Sequence, residues 1–412
     1  MKIYLVGGAV RDTLLDRPVI EKDWVVTGAT VAEMKSLGYQ QVGKDFPVFL
    51  HPKTKEEYAL ARQERKTGPG YTGFEFEVDS TVTLEEDLLR RDLTVNAIAQ
   101  DAEGKLIDPY NGVKDIECRQ LRHVSDAFAE DPVRILRIAR FAARYAYLGF
   151  TIAAETMELM RQMVKDGEVA SLVPERIWKE TSRALLETQP SVYIRVLRQC
   201  GALEVIFPEV DALYGVPQTQ SYHPEVDTGK HLELALDRGK ELSADLTTMY
   251  AILLHDLGKA LTPEHILPGH RGHEEAGVPL VKHINKRLKI PAKEAQLAIL
   301  MCRWHLHCHR ALDLRPKTIA KLFNALDVWR KPEQLQSFVL ACQADAQGRA
   351  GLKEKPYPQA EYLLYCANAA RKVVVSDLVA QGYEGKDLGE EIHRSRVRKI
   401  AEARKPIQVL NI

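Results

Sequence analysis

The sequence predicts an α+β protein, with a mixed α/β head over residues 1–125 and a helical remainder broken near residue 225. Three observations carry this. Short apolar, β-branched runs alternate with helical patterns up to about residue 125. From Asp126 onward strand signals nearly vanish. A Pro- and Gly-rich stretch, Phe207-Pro208 through Thr228-Gly229, interrupts the helical patterns and reads as a domain boundary.

In the head, Ile3–Val6, Trp24–Val26, Pro47–His51 and Glu57–Arg62 read as extended. Mixed or antiparallel pairing is expected among them. Thr30–Leu37 and Leu84–Ala99 read as helical, and Lys66–Gly73 as a flexible loop from its Gly and Pro content. Asp131-Pro132 is a helix start, with Asp as the cap and Pro in the first helical position. That helix is expected to run to about Tyr147. Further helical patterns cover 154–164, 174–188 and 190–201, and residues 231–412 look all-helical.

The densest chemistry lies near the N-terminus. Gly7-Gly8-Ala9-Val10-Arg11-Asp12 pairs two glycines with an arginine. Glycines let the backbone approach a phosphate closely, and a following helix points its N–H groups at the anion. Gly8 and Arg11 therefore fit a triphosphate cradle. Downstream, Glu21 and Asp23 precede the apolar run Trp24-Val25-Val26. In an extended segment, residues two apart face the same way, so these carboxylates can share a metal with phosphate oxygens. The combination reads as metal-assisted nucleotidyl transfer.

Two further groups favour anions. Arg90-Arg91-Asp92 and Asn96 lie in a helical pattern that puts Asp92 and Asn96 on one face, with Arg91 able to reach ribose or triphosphate. Arg134, Arg137, Arg140 and Arg144 form one helical stripe without interleaved acids. Such a stripe repels itself unless an anion compensates, so Arg137 and Arg140 are candidates for contacts to nucleotide phosphate or base.

The second half is rich in histidine: ten of thirteen lie between positions 223 and 309. His255-Asp256-Leu257-Gly258-Lys259 follows an apolar helix, and His231 suits a ligand from the preceding one. Asp345 is a candidate fourth ligand, and His270, His273 and His305 are further ones. His305, His307 and His309 alternate and read equally well as polar helix positions. Imidazole with carboxylate suits Ni²⁺, Mn²⁺ or a similar divalent metal, which would activate water against a phosphate ester.

Composition narrows the class. The 412 residues are 45% apolar and 28% charged, ordinary for a globular protein of several domains. No apolar run approaches membrane-spanning length, and no signal peptide is evident, so a cytoplasmic protein without membrane contact is expected. Six scattered cysteines without a C-x-x-C pair fit free thiols and argue against a zinc ribbon. Net charge is zero, so RNA binding would have to use local patches. One such patch is the basic segment Arg394, Arg396, Arg398, Lys399, Arg404 and Lys405.

The Gly-Gly turn and acidic pair resemble the polymerase-β-type nucleotidyltransferases. Glu57-Tyr58-Ala59-Leu60-Ala61-Arg62, Arg90-Arg91-Asp92 with Asn96, Asp108-Pro109 with Gly112, and Glu130-Asp131-Pro132-Val133-Arg134 follow in order. Together they are similar to the class II tRNA nucleotidyltransferases, which add CCA to tRNA 3′ ends. The His-Asp segment resembles the bacterial version that carries an HD phosphohydrolase domain. The resemblance implies a polymerase-β-type nucleotidyltransferase head (1–125), a neck with the nucleotide-selecting motif (126–225), an HD domain (226–330) and a helical tRNA-binding region (331–412).

It also implies roles. Glu21 and Asp23 would hold Mg²⁺, and Glu57 matches the third acidic position. Arg91, Asp92 and Asn96 would recognise ribose. Asp131 and Arg134 would accept C and A but reject U and G, because a carboxylate accepts from an exocyclic amine and a guanidinium donates to a ring acceptor. His231, His255, Asp256 and Asp345 would hold a divalent transition metal such as Ni²⁺, and Lys259 is a candidate for phosphate contact. The partners would be tRNA, ATP and CTP, acting on a monomer or weak homo-oligomer. One departure is Glu21, where the family usually has Asp. Two alternatives stay open: a poly(A) polymerase, or an HD phosphohydrolase whose head only binds RNA.

Overall fold

A computed structural model of the chain describes residues 1–42, 48–66, 74–77 and 80–409. The Gly-rich stretch 67–73 and Pro47 lie outside the described residues, as do the side chains of Arg404 and Lys405. The chain divides into two compact units. One comprises Met1–Ile177 and Val196–Ile206; the other comprises Trp178–Arg195 and Phe207–Ile412.

The first unit is built on a seven-stranded mixed sheet. Its strands are β1 (Lys2–Val6), β2 (Asp23–Thr27), β3 (Gln40–Val42), β4 (Val48–Leu50) and β5 (Glu57–Leu60), then β8 (Ala99–Gln100) and β9 (Leu106–Ile107). Between them, β6 (Gln63–Lys66) and β7 (Phe74–Glu77) form a separate hairpin. The sheet order is β3-β4-β5-β2-β1-β8-β9. β2 runs antiparallel to β1 and parallel to β5. Alternation along β2 explains its burial: Val25 enters one core with Val6, Leu88 and Ala99, while Val26 enters another with Met34, Phe49 and Leu60.

Two helix expectations shift. The helix expected over Leu84–Ala99 ends at Leu89; Thr94–Asn96 is a 3₁₀ turn and Ala99 begins β8. Residues Leu93, Val95, Ala97, Ile98 and Ala99 are all buried. Burial on every side gives no periodic signal to separate helix from other buried chain. The helix after Asp131 spans Val133–Tyr145, with Pro132 as cap, and a 3₁₀ turn continues to Leu148. The neck also contributes a strand, β11 (Thr151–Ile152), parallel to β10 (Gln120–Leu121).

Asp108-Pro109 with Gly112 has a structural task. Asp108 accepts from the Gly112 and Val113 amides at 2.7 and 2.9 Å, starting the helix Gly112–Glu117. A methyl group at Gly112 would lie 2.2 Å from the Thr94 carbonyl oxygen. Only glycine permits this approach, which fixes the turn carrying Asn96.

In the second unit the described residues from Thr228 onward form only helices and connections. The long helix Gly385–Val409 bears the basic segment, but Glu390, Glu391 and Glu402 answer it. Arg394 pairs with Glu390 at 3.1 Å, Arg398 with Glu391 at 2.6 Å and Lys399 with Glu402 at 2.8 Å. This face is thus less cationic than the sequence run suggests. Among the described residues no helix is long and apolar enough to cross a membrane.

Candidate functional site

The head site forms where β1 ends. Gly7 turns the chain with φ 70° and caps the helix Gly8–Leu14. A methyl group at Gly7 would lie 2.8 Å from Arg91 Nη1, and one at Gly8 would lie 3.4 Å from Arg11 Nη2. Two guanidinium groups therefore converge on the Gly-Gly turn, in space that a larger residue would occupy. Beside this turn, register puts Asp23 opposite Val6 on β1 and opposite Glu57 on β5. Paired residues on parallel strands face the same side, so Asp23 and Glu57 project together.

Glu21 lies two residues before Asp23, outside the strand. Partial burial raises the Asp23 carboxyl above its ordinary range, Arg91 opposes this, and Glu21 adds to it. A divalent cation relieves that mutual repulsion with hard oxygen ligands, so these residues fit Mg²⁺. Among the described residues, no three head carboxylates bring one oxygen each within 4.8 Å of one another. Glu21, Asp23 and Glu57 are all exposed, which leaves their side chains free to rotate onto an ion.

A buried chain of polar contacts supports this turn. Arg11 is only 4% exposed and packs its guanidinium against the rings of Phe141 and Tyr145, 5.2 and 5.1 Å from their centroids. It donates to Asn96, whose amide donates to Asp92 at 3.0 Å; Arg137 donates to the other Asp92 oxygen at 2.7 Å. Burial would raise the Asp92 carboxyl, but Arg137, Asn96 and Arg134 together hold it well below the usual carboxylate range. Asp92 and Asn96 thus meet, although the helix expected to align them ends earlier. Arg91 donates to Asp87 at 3.3 Å and remains beside Gly7.

The arginine helix is compensated within the chain. Arg137 has Asp92 as its acid, contributed from a distant segment. Arg134 and Arg140 are buried, and Arg140 stacks on Phe141 at 4.6 Å. Arg134 donates to the carbonyl oxygens of Ala127 and Arg90, both at 2.8 Å. Asp131 accepts a two-pronged contact from Arg176 at 2.9 and 2.7 Å, and also accepts from the Val133 amide. Arg176 was not visible as a partner in the sequence, since the two are joined only by the fold.

The second unit holds a cluster of imidazoles and carboxylates. His231, His255 and Asp345 each bring a ligand atom within 4.8 Å of the others, as do Asp256, His273 and His305. Asp256 stands between the two trios. Its Oδ2 lies 3.2 Å from His255 Nε2, and its Oδ1 lies 3.3 Å from His273 and 3.6 Å from His305. His231 reaches Asp345 at 3.0 Å. His255 Nδ1 donates to the Ile252 carbonyl at 2.8 Å, which leaves Nε2 facing the cluster. Lys259 pairs with Asp256 at 2.6 Å and donates to Gln218.

This donor set fits a divalent metal. His255 Nε2 and Asp256 Oδ1 are fully buried, yet neither makes a hydrogen bond of good geometry. Buried polar atoms without partners are costly, and a cation satisfies both. Burial alone would lower the His255 pKa; the carboxylates of Asp256 and Asp345 outweigh it and push it up to about 9. The site therefore attracts positive charge where a metal would supply it. His270 stands apart, bonded to Thr262 and the Pro217 carbonyl.

Sequence reasoning missed four members of the surround. His309 joins Asp345 at 2.7 Å and meets the Tyr357 hydroxyl at 2.8 Å. Glu225 lies 3.1 Å from both His223 Nδ1 and His231 Nδ1. His305 and His309 share a helix face that a four-residue spacing predicts, while His307 packs on Trp304.

Glycine makes the second trio possible. A methyl group at Gly258 would lie 1.9 Å from the His273 carbonyl oxygen and 2.7 Å from the Gly277 amide. This close approach brings His273 against Asp256. Gly258→Ala is expected to destabilise the protein by about 1–3 kcal/mol through overpacking. A thermal melt should show the loss, and an unshifted melt would contradict the tight crossing.

Comparison with known proteins gives the family of both domains. The Poly A polymerase head domain matches residues 3–122, a probable RNA and SrmB-binding site of polymerase A matches 149–214, and the HD domain matches 228–345. A multifunctional CCA protein of Teredinibacter turnerae is 60% identical over 97% of each chain. That of Thioalkalivibrio sulfidiphilus is 57% identical over 98% of each. The chain belongs to the multifunctional CCA protein family. Like other members of that family it is a nucleotidyltransferase enzyme active in CCA addition. Its fold is also that of solved CCA-adding enzymes. The Thermotoga maritima enzyme complexed with tRNA superposes with a TM-score of 0.65 at 20% identity, covering 100% of this chain and 92% of that one. A CCA-adding enzyme complex with ATP gives 0.66 at 20% identity, covering 97% and 86%.

Proposed function

We propose that the chain synthesises and repairs the 3′-terminal CCA of tRNA from CTP and ATP, without a nucleic-acid template and with release of pyrophosphate. The observation that carries this is the convergence of Arg11 and Arg91 on the Gly7-Gly8 turn, beside the paired Asp23 and Glu57. The guanidinium groups and turn amides hold the triphosphate. The tRNA 3′-oxygen then bonds to the α-phosphorus as the bond to the β-phosphate oxygen breaks. Mg²⁺ held by Glu21 and Asp23 would supply Lewis-acid stabilisation of the charge that develops. Solved CCA-adding enzymes in complexes with tRNA, ATP and CTP support the same partners here.

Asp131 selects the base in this reading, with Arg176 positioning its carboxylate. Arg134 must leave the Ala127 and Arg90 carbonyls to read a ring acceptor. Asp131→Ala is expected to relax discrimination against UTP and GTP by roughly 1–3 kcal/mol. Competition between labelled nucleotides measures it; unchanged preference with lowered stability would reduce Asp131 to a helix-start residue. The whole reading is tested with tRNA lacking CCA and labelled nucleotides singly and in pairs. CTP alone should add only C, and CTP with ATP should complete the end. Addition of A alone, without C, would favour a poly(A) polymerase.

The HD cluster supports a second activity, metal-dependent hydrolysis of phosphate esters such as 2′,3′-cyclic and 2′-phosphates. His231, His255, Asp256 and Asp345 would hold the metal, Ni²⁺ or another divalent transition ion, which lowers the pKa of a bound water. Lys259, already paired with Asp256, adds positive charge for the phosphate. Removal of such a phosphate would expose the hydroxyl that the head extends.

A further inference from the structure

A solvent-open cavity of about 160 Å³ adjoins the HD cluster, lined by His309, Arg349, Leu352, Lys355, Tyr357 and Gln359 among others. His309 is the shared wall: one ring nitrogen meets Asp345 and the other meets the Tyr357 hydroxyl. Two cations line the cavity, and no carboxylate does. It also carries unmet hydrogen-bonding capacity. Arg349 Nε is a buried donor without a partner, and Gln359 Oε1 is a buried acceptor without one. The Gln359 amide is held from its other side, where Nε2 donates to the His309 carbonyl at 3.2 Å. Arg349 makes only a long contact, 3.5 Å, to the Tyr222 carbonyl.

A phosphate hydrolysed at the metal cluster would be neutralised there by the metal and Lys259. Arg349 lies two residues beyond the end of the helix Pro332–Gln347, whose last turn carries Asp345. Its charge and that of Lys355 line the cavity, which shares His309 with the cluster. A mononucleotide ester has no second phosphate for that position, whereas an RNA end has one. We propose that this cavity binds the terminal nucleoside of an RNA 3′ end and the internucleotide phosphodiester before it. Arg349 and Lys355 take the phosphodiester, and Gln359 Oε1 accepts from a hydroxyl or amine of the nucleoside. The cavity thus makes the HD centre prefer an RNA end over free cyclic nucleotides. This rests on the hydrolase reading of the HD cluster.

The test uses the full chain with two substrates: 2′,3′-cyclic CMP, and the dinucleotide CpC ending in a 2′,3′-cyclic phosphate. In Arg349→Gln, KM for the dinucleotide is expected to rise roughly tenfold, as for loss of a charged hydrogen bond. KM for cyclic CMP and C incorporation at the head should stay unchanged, which also shows that the variant folds. Gln359→Leu should weaken both substrates. Equal effects of Arg349→Gln on both substrates, or no effect on either, would overturn the proposal. Equilibrium dialysis with CpC 3′-phosphate separates the two claims. Arg349-dependent binding without hydrolysis by the natural protein would sink the hydrolase reading and keep the cavity as an RNA-end site. Hydrolysis with Arg349-independent binding would sink the cavity proposal alone.

Discussion

Asp23→Ala is expected to abolish addition of both C and A while leaving tRNA binding nearly intact. The register of β2 places Asp23 beside Glu57 and opposite the last residue of β1, where the Gly-Gly turn begins. The residue is exposed, so its removal leaves no buried partner unsatisfied. The loss falls on the metal-assisted step, where several kcal/mol of stabilisation corresponds to about 10³-fold in rate. Single-turnover C incorporation with gel-shift measurement of tRNA affinity separates the two effects. Near-normal turnover would remove Asp23 from the chemistry. Glu21→Asp should retain activity, because it shortens the ligand by one methylene to the residue the family usually carries.

The second large effect concerns the HD cluster. Asp256→Asn and His255→Ala should eliminate metal-dependent phosphohydrolysis and preserve CCA addition. Asp256 faces both trios, so neutralising it removes a ligand and the counter-charge to Lys259 at once. Leaving one partner of a buried pair uncompensated costs about 3–5 kcal/mol. A melt therefore accompanies the assay, and C incorporation reports that the chain still folds. Intact hydrolysis in a metal-free Asp256→Asn protein would contradict the assignment.

Much of both sites was legible because their key residues are close in sequence. Gly7, Gly8, Arg11, Glu21 and Asp23 fall within one strand–helix–strand passage, and His255-Asp256 within one turn. What sequence could not supply were contacts made by folding. Arg176 reaches Asp131 across 45 positions, and Asp92 answers Arg137 across the same separation. The unanswered arginine stripe was an expectation about one helix, and an acid from another segment changes it. His309 was indistinguishable from His307 by composition. Helical geometry puts His305 and His309 on one face, but only packing against Asp345 shows which face carries the site. The buried run Leu93–Ala99 misled for the opposite reason. Its apolar residues are enclosed on all sides, so their spacing says nothing about helix.

On this reading one chain carries two independent metal-dependent centres. A chelator titration on the unmutated protein, followed by separate add-back of Mg²⁺, Mn²⁺ and Ni²⁺, tests it most directly. Oxygen ligands alone at the head favour Mg²⁺, while imidazole with carboxylate in the HD cluster favours a transition ion. C incorporation should return with Mg²⁺, and hydrolysis of 2′,3′-cyclic CMP should return with Ni²⁺ or Mn²⁺ but not with Mg²⁺. Loss and recovery of both activities together, with the same metal at the same concentration, would contradict it.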